Sequence, residues 1–177
     1  MSSPIIEVIR GDITAQTTDA IVNAANSSLM GGGGVDGAIH AAAGPELLAE
    51  CMRVRSEDYP DGLPTGAAIA TGAGALAASF VIHTVGPRAW EYPDGGAGLL
   101  AECHRSCLAE ARRVGARSIA FPAISCGVYG WRPIDAAPIA LRAVREESAH
   151  DTSVELVRFV LFNDDAYTHF RSALTPD

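Results

Sequence analysis

The sequence predicts one α/β domain whose sheet, mixed or largely parallel, is covered by helices on both faces. Three observations carry this expectation. Short β-branched runs alternate with longer helical patterns along the whole chain. The 177 residues, 48% of them hydrophobic, suffice for one full core and are too few for two. Glycine-rich breaks follow directly after strands, at the strand ends where ligands gather in such folds.

Six strands are expected. Residues 5–9 (IIEVI) form the first and residues 19–25 (DAIVNAA) a buried second; 67–71 (AAIAT) and 80–85 (FVIHTV) follow, and 118–124 (SIAFPAI) and 154–162 (VELVRFVLF) complete the set. Helical patterns occupy 35–43, 45–56, 97–115, 133–149 and 164–173. Gly115 reads as a helix C-terminal glycine, and Pro133 suits a first helical turn. Residues 91–98 (EYPDGGAG) read as a flexible loop inside the domain. With no internal repeat or low-complexity linker, residues 1–177 are expected to be a single domain.

Composition narrows the function. The formal net charge is −8 and no Lys/Arg cluster exceeds the pair Arg112 and Arg113, which argues against tracking a nucleic-acid backbone. A small phosphorylated ligand stays open, because glycine-rich turns and helix N-termini bind phosphate through backbone N–H groups. No apolar run reaches the roughly 20 residues of a membrane span, and MSSPIIEVIRGDI lacks a basic segment followed by an apolar core. A cytoplasmic protein without a membrane partner is expected, and in that setting Asn26-Ser27-Ser28 is a loop sequence, not a glycosylation acceptor. Cys51, Cys103, Cys107 and Cys126 read as free thiols, with Cys103 and Cys107 as packing residues despite the intervening His104. No metal and no cofactor is expected, and nothing in the pattern asks for more than a monomer.

The chemistry concentrates in residues 23–44, NAANSSLMGGGGVDGAIHAAAG. Four consecutive glycines lose much backbone entropy on folding, so Gly31 to Gly34 imply a sharp bend or a close approach to a ligand. The run lies between a strand and a helix, where a loop can cradle phosphate, yet it fits neither the dinucleotide nor the Walker pattern. Asp36 and His40, four apart, share one helix face, and Asn23 and Asn26 lie at the mouth of the preceding strand. Either these groups converge across the glycine loop, or Asp36 merely complements the helix dipole while His40 is a half-buried surface residue.

A second strand-to-helix loop, AISCGVYGW (123–131), has the same character, and Cys126 in it has no identifiable base to make it a nucleophile. In GDIT (11–14), Asp12 either accepts from an exocyclic amine or ends the strand as an Asx turn. In FNDDAY (162–167), the aromatic and the amide either border a base or cap a helix. His83 reads as a satisfied core histidine.

These blocks, together with LPTGAAIAT (63–71), VIHTVGP (81–87) and FPAISCGVYGW (121–131), closely resemble the macrodomain family, specifically its MacroD-type branch. The resemblance spans most of the chain in order. It implies a three-layer α/β/α sandwich around a mixed six-stranded sheet, and a glycine loop, Gly32, Gly33, Gly34 and Val35, wrapping the diphosphate and distal ribose of ADP-ribose. It also implies that Asp12 hydrogen-bonds the adenine amine with Ile13 adding a backbone contact, and that Asn26 holds the distal ribose. Asp36 becomes the catalytic acid, supported by His40. Ser125, Cys126, Gly127, Val128 and Tyr129 form the second phosphate loop, and Phe162 and Asn163 border the adenosine. MacroD-type members remove mono-ADP-ribose from acidic side chains and deacetylate O-acetyl-ADP-ribose, so ADP-ribosylated proteins and that ester are the implied substrates. A non-catalytic ADP-ribose reader and a phosphatase acting on ADP-ribose-1''-phosphate use the same pocket. The segment RAWEYPDGGAG (88–98) carries no family motif.

Overall fold

The computed structural model describes residues 3–175. Six strands, β1 (Ile5–Arg10), β2 (Ala20–Ala24), β3 (Ala68–Gly72), β4 (Phe80–Thr84), β5 (Ser118–Phe121) and β6 (Leu156–Leu161), form one sheet in the order β1-β6-β5-β2-β4-β3. Neighbours run parallel throughout, except that β3 is antiparallel to β4. The sheet is therefore mixed, the first of the two types left open by the alternation. Four α-helices lie in the connections between strands and a fifth follows the last strand: α1 (Gly34–Ala43), α2 (Pro45–Glu57), α3 (Ala97–Arg113), α4 (Pro133–Ser148) and α5 (Asp164–Leu174).

Period-two alternation sends neighbouring strand residues to opposite faces, and each face has its own core. Val22, Ile82, Ile119, Phe121 and Phe159 pack under α3, α4 and α5, with the Phe121 and Phe159 rings stacked at 5.4 Å. Ile21, Val81 and Val160 pack on the other side against Ile39 of α1 and Leu47 and Cys51 of α2. This makes three layers, as the resemblance implies. Cys103 and Cys107 are buried in the first core, and burial pushes the Cys103 thiol up to about 11.

The boundaries differ from expectation in small, explicable ways. Strand β5 stops at Phe121 because Pro122 has no N–H for the ladder. Helix α3 ends at Arg113 with Val114 as its cap, leaving Gly115 just beyond at φ 77°. Residues 91–98, expected as a flexible loop, are tied down: a short 3-10 helix (Ala89–Glu91) precedes them, and the Trp131 indole N–H donates to the Gly95 carbonyl at 2.8 Å. The outermost residues of the expected 1–177 domain, 1–2 and 176–177, lie outside those described. Among the described residues no helix is long and apolar enough to cross a membrane.

Because β1, β6, β5 and β2 are parallel, their carboxyl ends share one edge of the sheet. The segments leaving that edge are those the sequence singles out: GDIT, the Asn26-to-Gly33 loop, the 122–132 loop and Phe162–Asn163. Adjacent parallel strands bring them together, although the first and last of them, at Gly11 and Asn163, stand near opposite ends of the sequence.

Candidate active site

The shared strand edge opens into a two-lobed cleft. One lobe, about 410 Å³, is lined by Asp12, Ile13, Cys126, Phe162 and Asn163. The other, about 350 Å³, is lined by Asn26, Gly32, Asp36, Ser125, Val128 and Tyr129. Gly34, Val35, Ala123 and Gly127 belong to both and form the waist between them.

The waist is built from unpaired backbone N–H groups. Helix α1 starts there with Gly33 as its N-cap, and the N–H groups of Gly32, Gly33, Gly34 and Val35 find no acceptor among the described residues. From the opposite side, the N–H groups of Gly127, Val128 and Tyr129 are equally free among the described residues, because the turn's own bonds come from Cys126, Gly130 and Trp131. Two sets of amide donors facing one gap, one of them at the positive end of a helix dipole, form a cradle for an anion.

Both loops are held rigidly. Ser125 sits at φ 67°, a left-handed conformation costing a non-glycine residue on the order of 1–3 kcal/mol. Its hydroxyl donates to the Pro87 carbonyl at 2.8 Å, and its carbonyl accepts from Trp131 N–H at 3.0 Å. Gly86 permits this contact, since a Cβ there would come within 2.2 Å of the Ser125 hydroxyl. The glycine loop closes on α1 just as tightly: a Cβ on Gly37 would fall 2.4 Å from the Gly32 carbonyl oxygen. Tyr129 is capped by the Arg88 guanidinium, 5.1 Å from the ring centre, and its carbonyl accepts from Ala89 N–H at 2.8 Å. The 88–98 segment is thus the buttress of the second loop.

In the second lobe Asp36 is 5% exposed. Its Oδ1 accepts from Asn23 Nδ2 at 2.8 Å and lies 3.5 Å from His40 Nε2, near enough for electrostatic attraction and too long for a good hydrogen bond. Its Oδ2 lies on the side of Gly32, where a Cβ would be 3.3 Å away and 3.4 Å from Asn26 Nδ2. Burial raises the Asp36 pKa above the ordinary carboxylate value, against the opposing pull of the Asn23 hydrogen bond and of His40. Asn26 is itself fixed, Nδ2 donating to the Gly31 carbonyl at 3.1 Å and Oδ1 accepting from Ser28 N–H at 3.0 Å.

In the first lobe the groups satisfy themselves locally. Asp12 Oδ1 accepts from Thr14 N–H at 2.9 Å and from its hydroxyl at 2.7 Å, realising the Asx turn, while Oδ2 has no donor among the described residues. Asn163 caps α5 by accepting from Ala166 N–H at 2.9 Å, the helix-cap alternative read from the sequence, and it also lines the lobe. Phe162 is 79% exposed. Cys126 lines the lobe, with its thiol pushed up to about 12 by burial and then by Asp165, a poor setting for a nucleophile.

All but two of the expected site residues border this cleft. His40 stands behind Asp36 and lines neither lobe, and Asn23, expected at the mouth of its strand, is completely buried within β2 and reaches the site only through its hydrogen bond to Asp36. Sequence reasoning missed Gly37, which lies within the first helical pattern, and Gly86, which lies in the Gly-Pro segment after β4; its reading of His83 as a satisfied core histidine holds, since His83 is completely buried and paired with Asn23 and Thr71. Among the described residues no group of three or more His, Cys, Asp or Glu is placed to hold a metal ion.

Comparison with known proteins agrees with this architecture. The model of the family described as "Macro domain" matches residues 22–140. A macro domain-containing protein of Streptomyces griseus is 55% identical over 172 residues, covering 97% of this chain and 96% of that protein. A Salmonella gallinarum protein named O-acetyl-ADP-ribose deacetylase is 49% identical over 172 residues, 96% of this chain and 94% of its own. Among solved structures, an Oceanobacillus iheyensis macrodomain variant with ADPR superposes with a TM-score of 0.92 at 45% identity, covering 97% of this chain and 92% of that one. The Trypanosoma brucei macrodomain in complex with ADP-ribose gives 0.87 at 39%, covering 96% and 69%. The matched stretch runs from the strand before the glycine loop through the second loop into α4 and takes in the second lobe and the waist, while Asp12, Ile13, Phe162 and Asn163 of the first lobe lie outside it; covering more than half of the chain, it shows that this chain belongs to the macrodomain family.

Proposed function

We propose that this macrodomain hydrolyses esters on the distal ribose of ADP-ribose, deacetylating O-acetyl-ADP-ribose and releasing ADP-ribose from acidic side chains of modified proteins. The single observation that carries the reading is Asp36, a carboxylate buried in the second lobe with Oδ1 anchored and Oδ2 on the Gly32 and Asn26 side. Two lobes joined at an amide waist suit a ligand with two bulky groups linked by an anion. ADPR in the Oceanobacillus iheyensis structure and the deacetylase name of the Salmonella relative support the ligand and the reaction.

In this reading the adenosine occupies the lobe of Asp12 and Phe162, the diphosphate takes the free N–H groups of both loops, and the distal ribose lies against Asn26, Asp36 and Tyr129. Water attacks the ester carbonyl or the anomeric carbon. Oδ2 of Asp36 accepts its proton, the carbon–oxygen bond of the ester breaks, and the proton passes to the departing oxygen. Burial keeps Asp36 a stronger base than an exposed carboxylate, which suits proton abstraction nearer neutral pH.

The test compares release of ADP-ribose from a glutamate-automodified transferase, and of acetate from O-acetyl-ADP-ribose, by wild type and Asp36→Ala, with calorimetric ADP-ribose binding in parallel. Loss of both releases, with binding kept within about tenfold (1.4 kcal/mol), is expected. Wild-type binding without release from any ester would make the protein a reader. Full turnover by Asp36→Ala would transfer the role of base to the substrate phosphate.

A further inference from the structure

The donor that anchors Asp36 is itself held from behind. Asn23 and His83 are register partners on the parallel strands β2 and β4, and Thr71 lies diagonally across on β3, all three pointing into the α1 and α2 layer. Asn23 and His83 are completely buried, and Thr71 is 3% exposed. They form a chain of hydrogen bonds that runs from the outer strand to the cleft.

Satisfying every partner gives that chain one direction. The Thr71 hydroxyl lies 2.9 Å from both the Gly72 carbonyl and His83 Nε2; the carbonyl can only accept, so with the hydroxyl proton given to it the Thr71 oxygen accepts from Nε2–H. With the ring proton on Nε2, Nδ1 is bare and accepts from Asn23 Nδ2 at 3.1 Å. The second Nδ2 proton goes to Asp36 Oδ1 at 2.8 Å. Turning the amide over would set Asn23 Oδ1 against the carboxylate and require a proton on His83 Nδ1. The observed orientation instead leaves Asn23 Oδ1 buried without a partner among the described residues, a cost accepted in order to keep the donor on Asp36.

We propose that His83 is a positioning residue: lodged between Thr71 and Asn23 with its single ring proton on Nε2, it fixes the orientation of the Asn23 amide and thereby holds Asp36 with Oδ1 anchored and Oδ2 presented to the cleft. The kinetic part of this inference rests on Asp36 being the reacting carboxylate, as proposed above. The titratable neighbours are compatible with a neutral ring. The His40 ring is 6.5 Å away, Cys51 Sγ is 3.7 Å from Nε2, and Glu50 is engaged by the Gly72 N–H at 2.9 Å. Burial, then His40, holds His83 down to about 3, and burial pushes the Cys51 thiol up to about 12, so neither changes charge in the physiological range.

The experiment is nitrogen-15 NMR of the histidine rings and carbon-13 titration of the Asp36 carboxyl, in wild type and in Thr71→Val, His83→Asn and His83→Leu, with steady-state turnover alongside. Wild type is expected to show an imine-type Nδ1 and a protonated Nε2 that do not change between about pH 5 and 8. His83→Asn keeps an acceptor where Nδ1 was, and should leave the Asp36 titration and kcat close to wild type. His83→Leu frees the amide, so the Asp36 titration should move to higher pH and kcat should fall about tenfold or more, with ADP-ribose affinity little changed. Should His83→Leu fail to fold, the near-isosteric Thr71→Val carries the test: loss of its hydroxyl should yield a tautomer mixture and a smaller rise in the Asp36 titration. A proton on Nδ1 in the wild type, or an unmoved Asp36 titration in folded His83→Leu and Thr71→Val, overturns the proposal. Both readouts are independent of turnover, so a protein that proves to be a reader still decides it.

Discussion

The two lobes of the cleft use the same raw material, the ends of parallel strands and the turns that follow them, but they hold their polar groups in opposite ways. Around Asp12, Phe162 and Asn163 the side chains are exposed, and the two polar ones find bonds within a few residues, Asp12 in an Asx turn and Asn163 in a helix cap. Around Asp36 the carboxylate is buried, and its partners come from β2, from α1 and, through His83, from β4 and β3. Groups exposed and locally bonded can recognise a ligand at little cost to the fold. A buried carboxylate tied to three strands is costly to form and is held in one geometry, which is what proton transfer requires.

This contrast can be broken or sharpened by substitution. The largest effect is expected from Asp36→Ala: about a hundredfold or greater loss of ester turnover, the size of a general base's contribution, with ADP-ribose binding nearly intact by calorimetry. Equal losses of binding and turnover would erase the distinction between the lobes. Gly37→Ala comes next, because its Cβ meets the Gly32 carbonyl at 2.4 Å and a backbone must move. Overpacking of this kind costs about 1–3 kcal/mol, read as a lower midpoint in thermal unfolding, and the shifted glycine loop should also lower turnover.

Phe162→Ala should do the reverse of Asp36→Ala. Loss of an exposed stacking platform weakens ADP-ribose binding about tenfold while kcat at saturation and the unfolding midpoint stay near wild type. The smallest effect concerns stability. The folded pKa of Asp36 lies above its unfolded value, so its contribution to stability is fully present only below the unfolded value of about 3.9 and is lost as pH rises through the folded pKa. Asp36→Asn, which keeps an acceptor for Asn23, should therefore raise the thermal midpoint at pH 7 and show progressively less advantage on acidification. A variant less stable than wild type at pH 7 would mean that the carboxylate's bonds outweigh its desolvation.

Two buried histidines show where reading from sequence stops. His83 and His104 both sit inside regular elements among apolar neighbours, and both are kept neutral by burial, at about 3 and about 4. His104 donates to the Leu100 carbonyl one turn back at 2.8 Å and otherwise packs on Phe121, the core role that its helical setting implies. His83 looks the same in sequence, but the register of β2 against β4 places it beside Asn23. Local pattern carries no information about which residue sits on the neighbouring strand.

The sequence alone determined the six strands and five helices, since alternation, helix periodicity, Pro133 and Gly115 act within a few residues of one another. It also determined the candidate loops, because four glycines in a row and a glycine-rich turn after a strand have few other uses. Only the tertiary structure decided that β3 runs antiparallel, that residues 88–98 brace the second loop, that His40 stands behind the cleft, and that Asp36 is buried with one oxygen anchored. Each of these depends on contacts between segments far apart in the chain, and the energy of such contacts is set by sheet order and packing, not by the residues on either side.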